Sequence, residues 1–243
     1  MADVSPDTIA FWVVRETLQE SFRPLSDCIL EALRNNLSQN SIEENSELAE
    51  RYLNKVSESL RRLEADLLED GVQADFQLSG DDSYVKMIEG PASALLGRLL
   101  SITPTQFEQF CARILTKMGA KSQVTGQPAD GGVDFVARDL QLSAPSPRGA
   151  RVLVIGQAKR YSRHNRISET DLRSFVGGAI RKASDPENAL TFRREILAPL
   201  VFAFWTTSDF HPTARSYARS VGLWHLNGMG LAQLASRLGV EPT

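Results

Sequence analysis

Three side chains stand at a spacing that supports hydrolytic chemistry: Asp134, Gln157 and Lys159. Two strand-like runs, Val133 to Leu142 and Arg151 to Ala158, flank a Ser/Pro/Gly-rich stretch centred on Pro145-Ser146. A hairpin turning at that centre sets Asp134 opposite Gln157. Residues two apart on a strand share a face, so Lys159 points with Gln157. A carboxylate, an amide oxygen and an ammonium then converge at one end of a sheet, provided no bulge breaks the register. Oxygen ligands on a rigid hairpin suit Mg²⁺, which takes one or two protein oxygens and keeps water and substrate phosphate as its other ligands. A lysine beside such an ion orients or deprotonates the attacking water, or stabilises charge building on phosphorus. Phosphodiester hydrolysis is chemistry this set can support. Taken alone, an aspartate after the Asp130-Gly131-Gly132 turn and a lysine on a strand are more often ordinary structural residues.

The elements that must position these groups are legible around them. Thr103-Pro104-Thr105-Gln106 reads as an N-cap, a proline at the first helical position and a capping-box glutamine. Phe107, Phe110, Cys111, Ile114, Leu115 and Met118 then follow helical spacing until Gly119. After the two strands, a helix is expected from about Ser168 to Ala183 and an apolar strand over Leu200–Trp205. A helix from about Pro212 to Val221, a short strand Leu223–Leu226 and a last helix from about Gly230 complete the series. The order α-β-β-α-β-α-β-α predicts an antiparallel hairpin continued by a parallel α/β arrangement.

Residues from about 101 to 240 resemble the Mrr-like restriction endonucleases of the PD-(D/E)xK nuclease superfamily. The resemblance lies in Phe107-Glu108-Gln109-Phe110, in Thr125-Gly126 leading to Asp130-Gly131-Gly132-Val133-Asp134, and in Gln157-Ala158-Lys159-Arg160-Tyr161. It continues through Ser174-Phe175-Val176-Gly177-Gly178-Ala179, Thr206-Thr207-Ser208 and Leu226-Asn227-Gly228. It implies an α/β fold with a restriction-endonuclease-like mixed sheet flanked by helices, a divalent metal, and cleavage of double-stranded DNA. It also implies that Asp134 binds the metal, with Gln157 and Lys159 at the other signature positions. The superfamily's usual acid two before the lysine is glutamine here, as is common in the Mrr-like branch. A neutral amide holds Mg²⁺ more weakly than a carboxylate, so a second acid is expected. Glu108 is the candidate, because the family's first helix places a glutamate near the metal. The expected catalytic set is Asp134, Gln157, Lys159 and Glu108, with Asp134, Gln157 and Glu108 on Mg²⁺, for which Mn²⁺ can substitute.

Arg160, Tyr161, Arg163 and Arg166 follow the lysine, and such a basic run with an aromatic reads as a phosphate clamp for DNA. His164, His211 and His225 are expected to be structural or loop residues, and Thr206, Thr207 and Ser208 to cap the helix at Pro212. Asp130 is expected to form a turn. No G-x-x-x-x-G-K-[ST] and no Cys/His set spaced for zinc occurs in the sequence.

Charge divides the chain. Residues 1–100 carry 9 Lys and Arg against 19 Asp and Glu, a net −10, while residues 101–243 carry 18 against 11, a net +7, summing to −3. A phosphate backbone attracts the second part and repels the first. The first part shows two apolar series at helical spacing, Leu18, Phe22, Leu25, Ile29, Leu33 and Leu48, Tyr52, Val56, Leu60, Leu63, Leu67. Gly71 to Gly90 is turn-rich, a connector or small β excursion. Residues 1–95 are therefore read as an acidic, mainly helical accessory module for oligomerisation, partner binding or regulation, and 96–243 as the endonuclease domain. Cys28 and Cys111 are expected as buried free thiols. No apolar run approaches the roughly 18 residues of a membrane span, and the first residues do not read as a secretory signal, so a cytoplasmic protein without membrane contact is expected. A homodimer or higher oligomer is expected, since cutting both strands calls for two active sites. The setting implied is restriction or defence against phage, plasmid or modified DNA. The alternatives are a DNA-binding protein that does not cleave and a structure-selective resolvase.

Overall fold

The computed structural model describes residues 4–125, 132–141, 151–162, 165–184 and 199–242, which form two compact units, Met1–Ser93 and Ala94–Thr243. Among the described residues no helix is long and apolar enough to cross a membrane.

The first unit opens with α1 (Pro6–Trp12), capped by Ser5, which runs into a π-helical turn, Val13–Thr17. A two-residue strand β1 (Arg23–Pro24) leads to α2 (Leu25–Asn36), and α3 (Ile42–Glu69) packs on α1 and α2. The first apolar series does not run through one helix, because α2 starts only after Pro24. Leu18 is extended and Phe22 is 45% exposed, since proline fixes the chain outside helical geometry before α2. Ser41 and Glu44 close a capping box on α3, whose Tyr52, Val56, Leu60 and Leu67 are buried. The turn-rich stretch is a hairpin of β2 (Phe76–Leu78) and β3 (Tyr84–Met87), to which β1 adds a third strand. Cys28 and Cys111 are buried free thiols.

In the second unit, α4 (Pro91–Leu99), which contains the boundary, precedes α5 (Pro104–Lys117), whose capping box joins Thr103 and Gln106. A strand not anticipated from the sequence, β4 (Lys121–Val124), follows; its four residues are half-exposed and lack an apolar alternation. Next come β5 (Phe135–Gln141), β6 (Arg151–Lys159), β7 (Arg166–Ile167) and α6 (Glu169–Ser184). The chain ends with β8 (Leu200–Thr206), β9 (Asp209–Phe210), α7 (Pro212–Ser220), β10 (Trp224–Leu226) and α8 (Gly228–Leu238). The main sheet has the order β10-β8-β6-β5-β4, antiparallel from β4 to β6 and parallel from β6 to β10. The fold is thus α/β, a five-stranded mixed sheet flanked by helices.

On one face, Val136, Leu153, Ile155 and Phe204 pack with Leu172, Phe175 and Ala179 of α6 and Ala214 and Ala218 of α7. On the other, the Phe135 ring lies across Gly156, where an added Cβ would meet it at 2.0 Å, and Trp205 follows at 5.3 Å. Only a glycine lets the aromatic cross β6 at that point.

Candidate active site

The site is built where the start of β5 meets the end of β6. Phe135 pairs with Gly156, Val136 with Ile155 and Ala137 with Val154, so the hairpin register expected from the sequence holds at this end. A bulge does occur, between Ala137 and Leu140, with Asp139 at φ +61°. It lies on the far side of Ala137 from the site and leaves the pairing next to Asp134 undisturbed.

Asp134 is fixed by its backbone and by its side chain. Its N–H donates to the Gly156 carbonyl (2.9 Å), its carbonyl accepts from Thr125 N–H (3.0 Å), and Oδ2 accepts from Ala158 N–H at 2.8 Å. Burial pushes this carboxyl up to about 6. The Ala158 N–H opposes the shift, the Glu108 charge adds to it, and Lys159 and Lys182 oppose it. Glu108, half-buried on α5, is also raised by burial. Beneath them the Cys111 thiol is held well above its ordinary value, first by burial and then by the Asp134 and Glu108 charges. The Glu108 and Lys159 charges therefore both reach Asp134, although the three residues come from α5, β6 and the start of β5.

Gln157 lies against Gly132. That glycine has φ +78°, and a Cβ there would stand 2.9 Å from Gln157 Nε2, so only glycine accommodates both the turn and the amide. The Lys159 ammonium sits 5.2 Å from the centroid of the Tyr161 ring, within cation–π range. The strand that carries it is clamped from β8. Lys159 pairs with Thr206, whose hydroxyl donates to the Lys159 carbonyl at 2.7 Å; Thr207 N–H donates to the same oxygen. Thr207 Oγ1 accepts from Tyr161 N–H at 3.0 Å and donates to the Tyr161 carbonyl at 2.7 Å. Ser208 Oγ donates to the Asn165 carbonyl. These hydroxyls were expected to cap α7. They instead satisfy backbone groups where β6 ends, and His211 is the N-cap of α7 without a side-chain cap bond.

The basic run is distributed. Arg160 donates to the Leu100 carbonyl at 3.0 Å, Arg166 lies in β7, and Arg163, His164, Asp130 and residues 142–150 fall outside the described residues. His225 Nδ1 is 3.1 Å from the Leu223 carbonyl, a structural contact. A cleft of about 500 Å³ opens beside Gln157 and Lys159, walled by α6 residues including Asp171, Arg173, Gly177 and Arg181. Local spacing gives no sign that α6 returns to this strand end; packing of Phe175 on Phe204 brings it there.

No group of three or more His, Cys, Asp or Glu stands ready to hold a metal among the described residues. The expected ligand set consists of the Asp134 and Glu108 carboxylates and the Gln157 amide oxygen, all hard oxygen donors. Burial raises the proton affinity of both acids, the Glu108 charge adds to it at Asp134, and Lys159 and Lys182 oppose it there. That donor set suits a hard divalent cation.

The matched family covers this region. Residues 99–187 match the restriction endonuclease family Mrr_cat. That stretch is similar to the catalytic domain of Mrr-type restriction endonucleases. The match takes in Glu108, Asp134, Gln157 and Lys159 and ends before β8, so the threonines that clamp Lys159 lie beyond it. Among solved structures the chain is similar to MspJI restriction endonuclease in complex with a 27-mer oligonucleotide (19% identity, TM-score 0.44, 68% of this chain and 33% of that one). It is likewise similar to AspBHI, a DNA modification-dependent restriction endonuclease (20%, 0.44, 65% and 43%), and to FokI bound to DNA (9%, 0.34, 97% and 45%). The chain spans less than half the length of each of these structures. No curated protein matches the sequence.

Proposed function

We propose that this protein is a metal-dependent endonuclease that hydrolyses phosphodiester bonds of double-stranded DNA, in restriction of foreign or modified DNA. The observation that carries the reading is the half-buried Asp134 carboxylate, held by Ala158 N–H and within reach of the Glu108 and Lys159 charges, inside a region that matches a restriction endonuclease family. Asp134, Gln157 and Glu108 would hold Mg²⁺ or Mn²⁺. The ion would supply a Lewis acid for the phosphoryl oxygen and an acidified water. Lys159, kept over the Tyr161 ring, orients that water or meets the charge growing on phosphorus. Arg160, Tyr161, Arg163 and Arg166 are proposed to contact DNA phosphates. The unit at residues 1–95, with its net negative charge, would leave the DNA to the second unit and serve assembly or regulation. Dimerisation would bring two sites to the two strands.

The test is nicking and linearisation of supercoiled plasmid by the full chain. Cleavage is expected with Mg²⁺ or Mn²⁺ and none in EDTA. Metal-independent cleavage would refute the role given to the ion, and no cleavage of plasmid or of branched substrates with either metal would refute the enzyme.

The clamp on β6 gives a second expectation. Thr207→Val keeps the shape of the side chain but removes both bonds to Tyr161, loosening the segment that carries Lys159. Loss of orientation acts on the chemical step, so kcat should fall about tenfold with KM little changed. Equal kcat in single-turnover cleavage would leave the clamp without a part in catalysis.

A further inference from the structure

The cleft that Gln157 and Lys159 line extends past the catalytic set along α6, where its charge comes from other residues. Its walls carry three cations, Lys159, Arg173 and Arg181, against one carboxylate, Asp171. Asp171 Oδ2 is engaged by Ser168 N–H at 2.9 Å and by Ser168 Oγ at 2.7 Å, closing the start of α6. Arg173 is bonded to Glu169 one turn earlier and lies 4.3 Å from the centroid of the Tyr217 ring. Arg181, one full two-turn step further along the helix, is exposed and makes no ion pair among the described residues. The lining is thus positive and leads away from the proposed metal ligands along α6.

Between these arginines stands Gly177, in the interior of a sixteen-residue helix. Glycine there costs about 1 kcal/mol of helix stability relative to alanine. The fold gives no return for it, because a Cβ built at Gly177 meets nothing within 4 Å. Gly132 and Gly156 differ, since Gln157 and Phe135 occupy the space their side chains would need. A glycine that its own chain does not require, on the wall of a cationic cleft, leaves room for something outside the chain to approach the helix backbone closely.

We propose that the cleft between β6 and α6 seats the sugar-phosphate backbone of duplex DNA next to the scissile phosphate, with Arg181 and Arg173 on neighbouring phosphates and Gly177 admitting the strand against α6. The assignment rests on the nuclease reading and names where that substrate's backbone runs. Arg181 acts as a point of phosphate contact and carries no sequence information. Gly177 sets the depth to which the strand can enter.

Binding of a labelled duplex to the full chain in EDTA, followed by fluorescence anisotropy over a salt series, tests this with Arg181→Ala, Gly177→Gln and, as a control on α8, Arg237→Ala. Arg181→Ala should weaken binding several-fold and lower the slope of log affinity against log salt by about one. Gly177→Gln should weaken binding about tenfold while its Tm stays at or above that of the wild type, since glutamine is the better helix former. Arg237→Ala should bind as the wild type does. The assignment is overturned if Arg181→Ala and Gly177→Gln bind unchanged, if Arg237→Ala weakens binding as much as Arg181→Ala, or if the wild type binds no duplex. Plasmid digestion run alongside separates the two readings. A wild type that cuts, with both cleft variants binding normally, removes the cleft and keeps the nuclease. Weakened variants of a protein that binds but never cuts keep the cleft and remove the nuclease.

Discussion

Asp134→Asn is expected to abolish cleavage and yet to make the metal-free protein more stable at pH 8. The activity loss follows from the proposed ligand role: an amide in place of the one fixed carboxylate weakens metal binding and should lower plasmid cleavage by about a thousandfold or more. The gain in stability follows from burial. An aspartate ordinarily titrates near 3.8, and here it is pushed up to about 6, chiefly by desolvation. The folded protein therefore binds more protons than the unfolded chain between those two values. Stability of the metal-free wild type falls as pH rises through that window and levels off above it, where the ionised, half-buried carboxylate costs up to about 3 kcal/mol. Asparagine carries no charge and can still accept the Ala158 N–H through its side-chain oxygen. Wild type and variant should match near pH 4 and diverge as pH rises to 6 and above, with the variant ahead. Mg²⁺ should reverse the order by stabilising the wild type alone. Urea midpoints across pH in EDTA, repeated with Mg²⁺, measure both. A variant less stable than the wild type at pH 8 without metal would mean that Asp134 is structural and that its burial is compensated within the chain.

The second large effect is expected on folding stability. Asp209 and Arg215 form an ion pair at 2.7 Å, with side chains only 5% and 4% exposed. Asp209 Oδ1 also accepts from Asn227 Nδ2 at 3.2 Å and from Phe210 N–H at 2.8 Å. Asn227 in turn caps α8 through Gly230 N–H at 2.9 Å. One carboxylate thus ties β9, the first turn of α7 and the start of α8. Asp209→Ala leaves a buried guanidinium without that partner and should cost about 3–5 kcal/mol. Replacing both groups, Asp209→Leu with Arg215→Met, removes the stranded charge and should recover most of the loss. Chemical unfolding of the three proteins decides the matter. A single variant within about 1 kcal/mol of the wild type, or a double variant as weak as the single, would show that the pair does not hold these elements together.

Several features were settled along the sequence because their physics is local. The capping box at Thr103 and Gln106, the apolar face of α5 and the strand-helix alternation after Arg151 depend on residues within a few turns of one another. So does the hairpin register, which follows from a turn centred on Pro145-Ser146 between two strand-like runs. That register placed Asp134 with Gln157 and Lys159. The charge contrast between the two parts of the chain was likewise a matter of composition.

Other features belonged to the tertiary structure alone. The half-exposed β4 carries no alternation to read, and it exists because β5 offers it an edge to pair with. The hydroxyls of Thr206 and Thr207 carry a side-chain pattern compatible with helix capping; parallel pairing of β8 with β6 turns them toward the Lys159 and Tyr161 backbone instead. The raised proton affinity of Asp134 comes from α5 packing over the strand end, and the cleft along α6 from Phe175 packing on Phe204. Groups distant in sequence come within reach only when the core closes, so spacing along the chain could name the reactive side chains but not the field, the clamp or the groove around them.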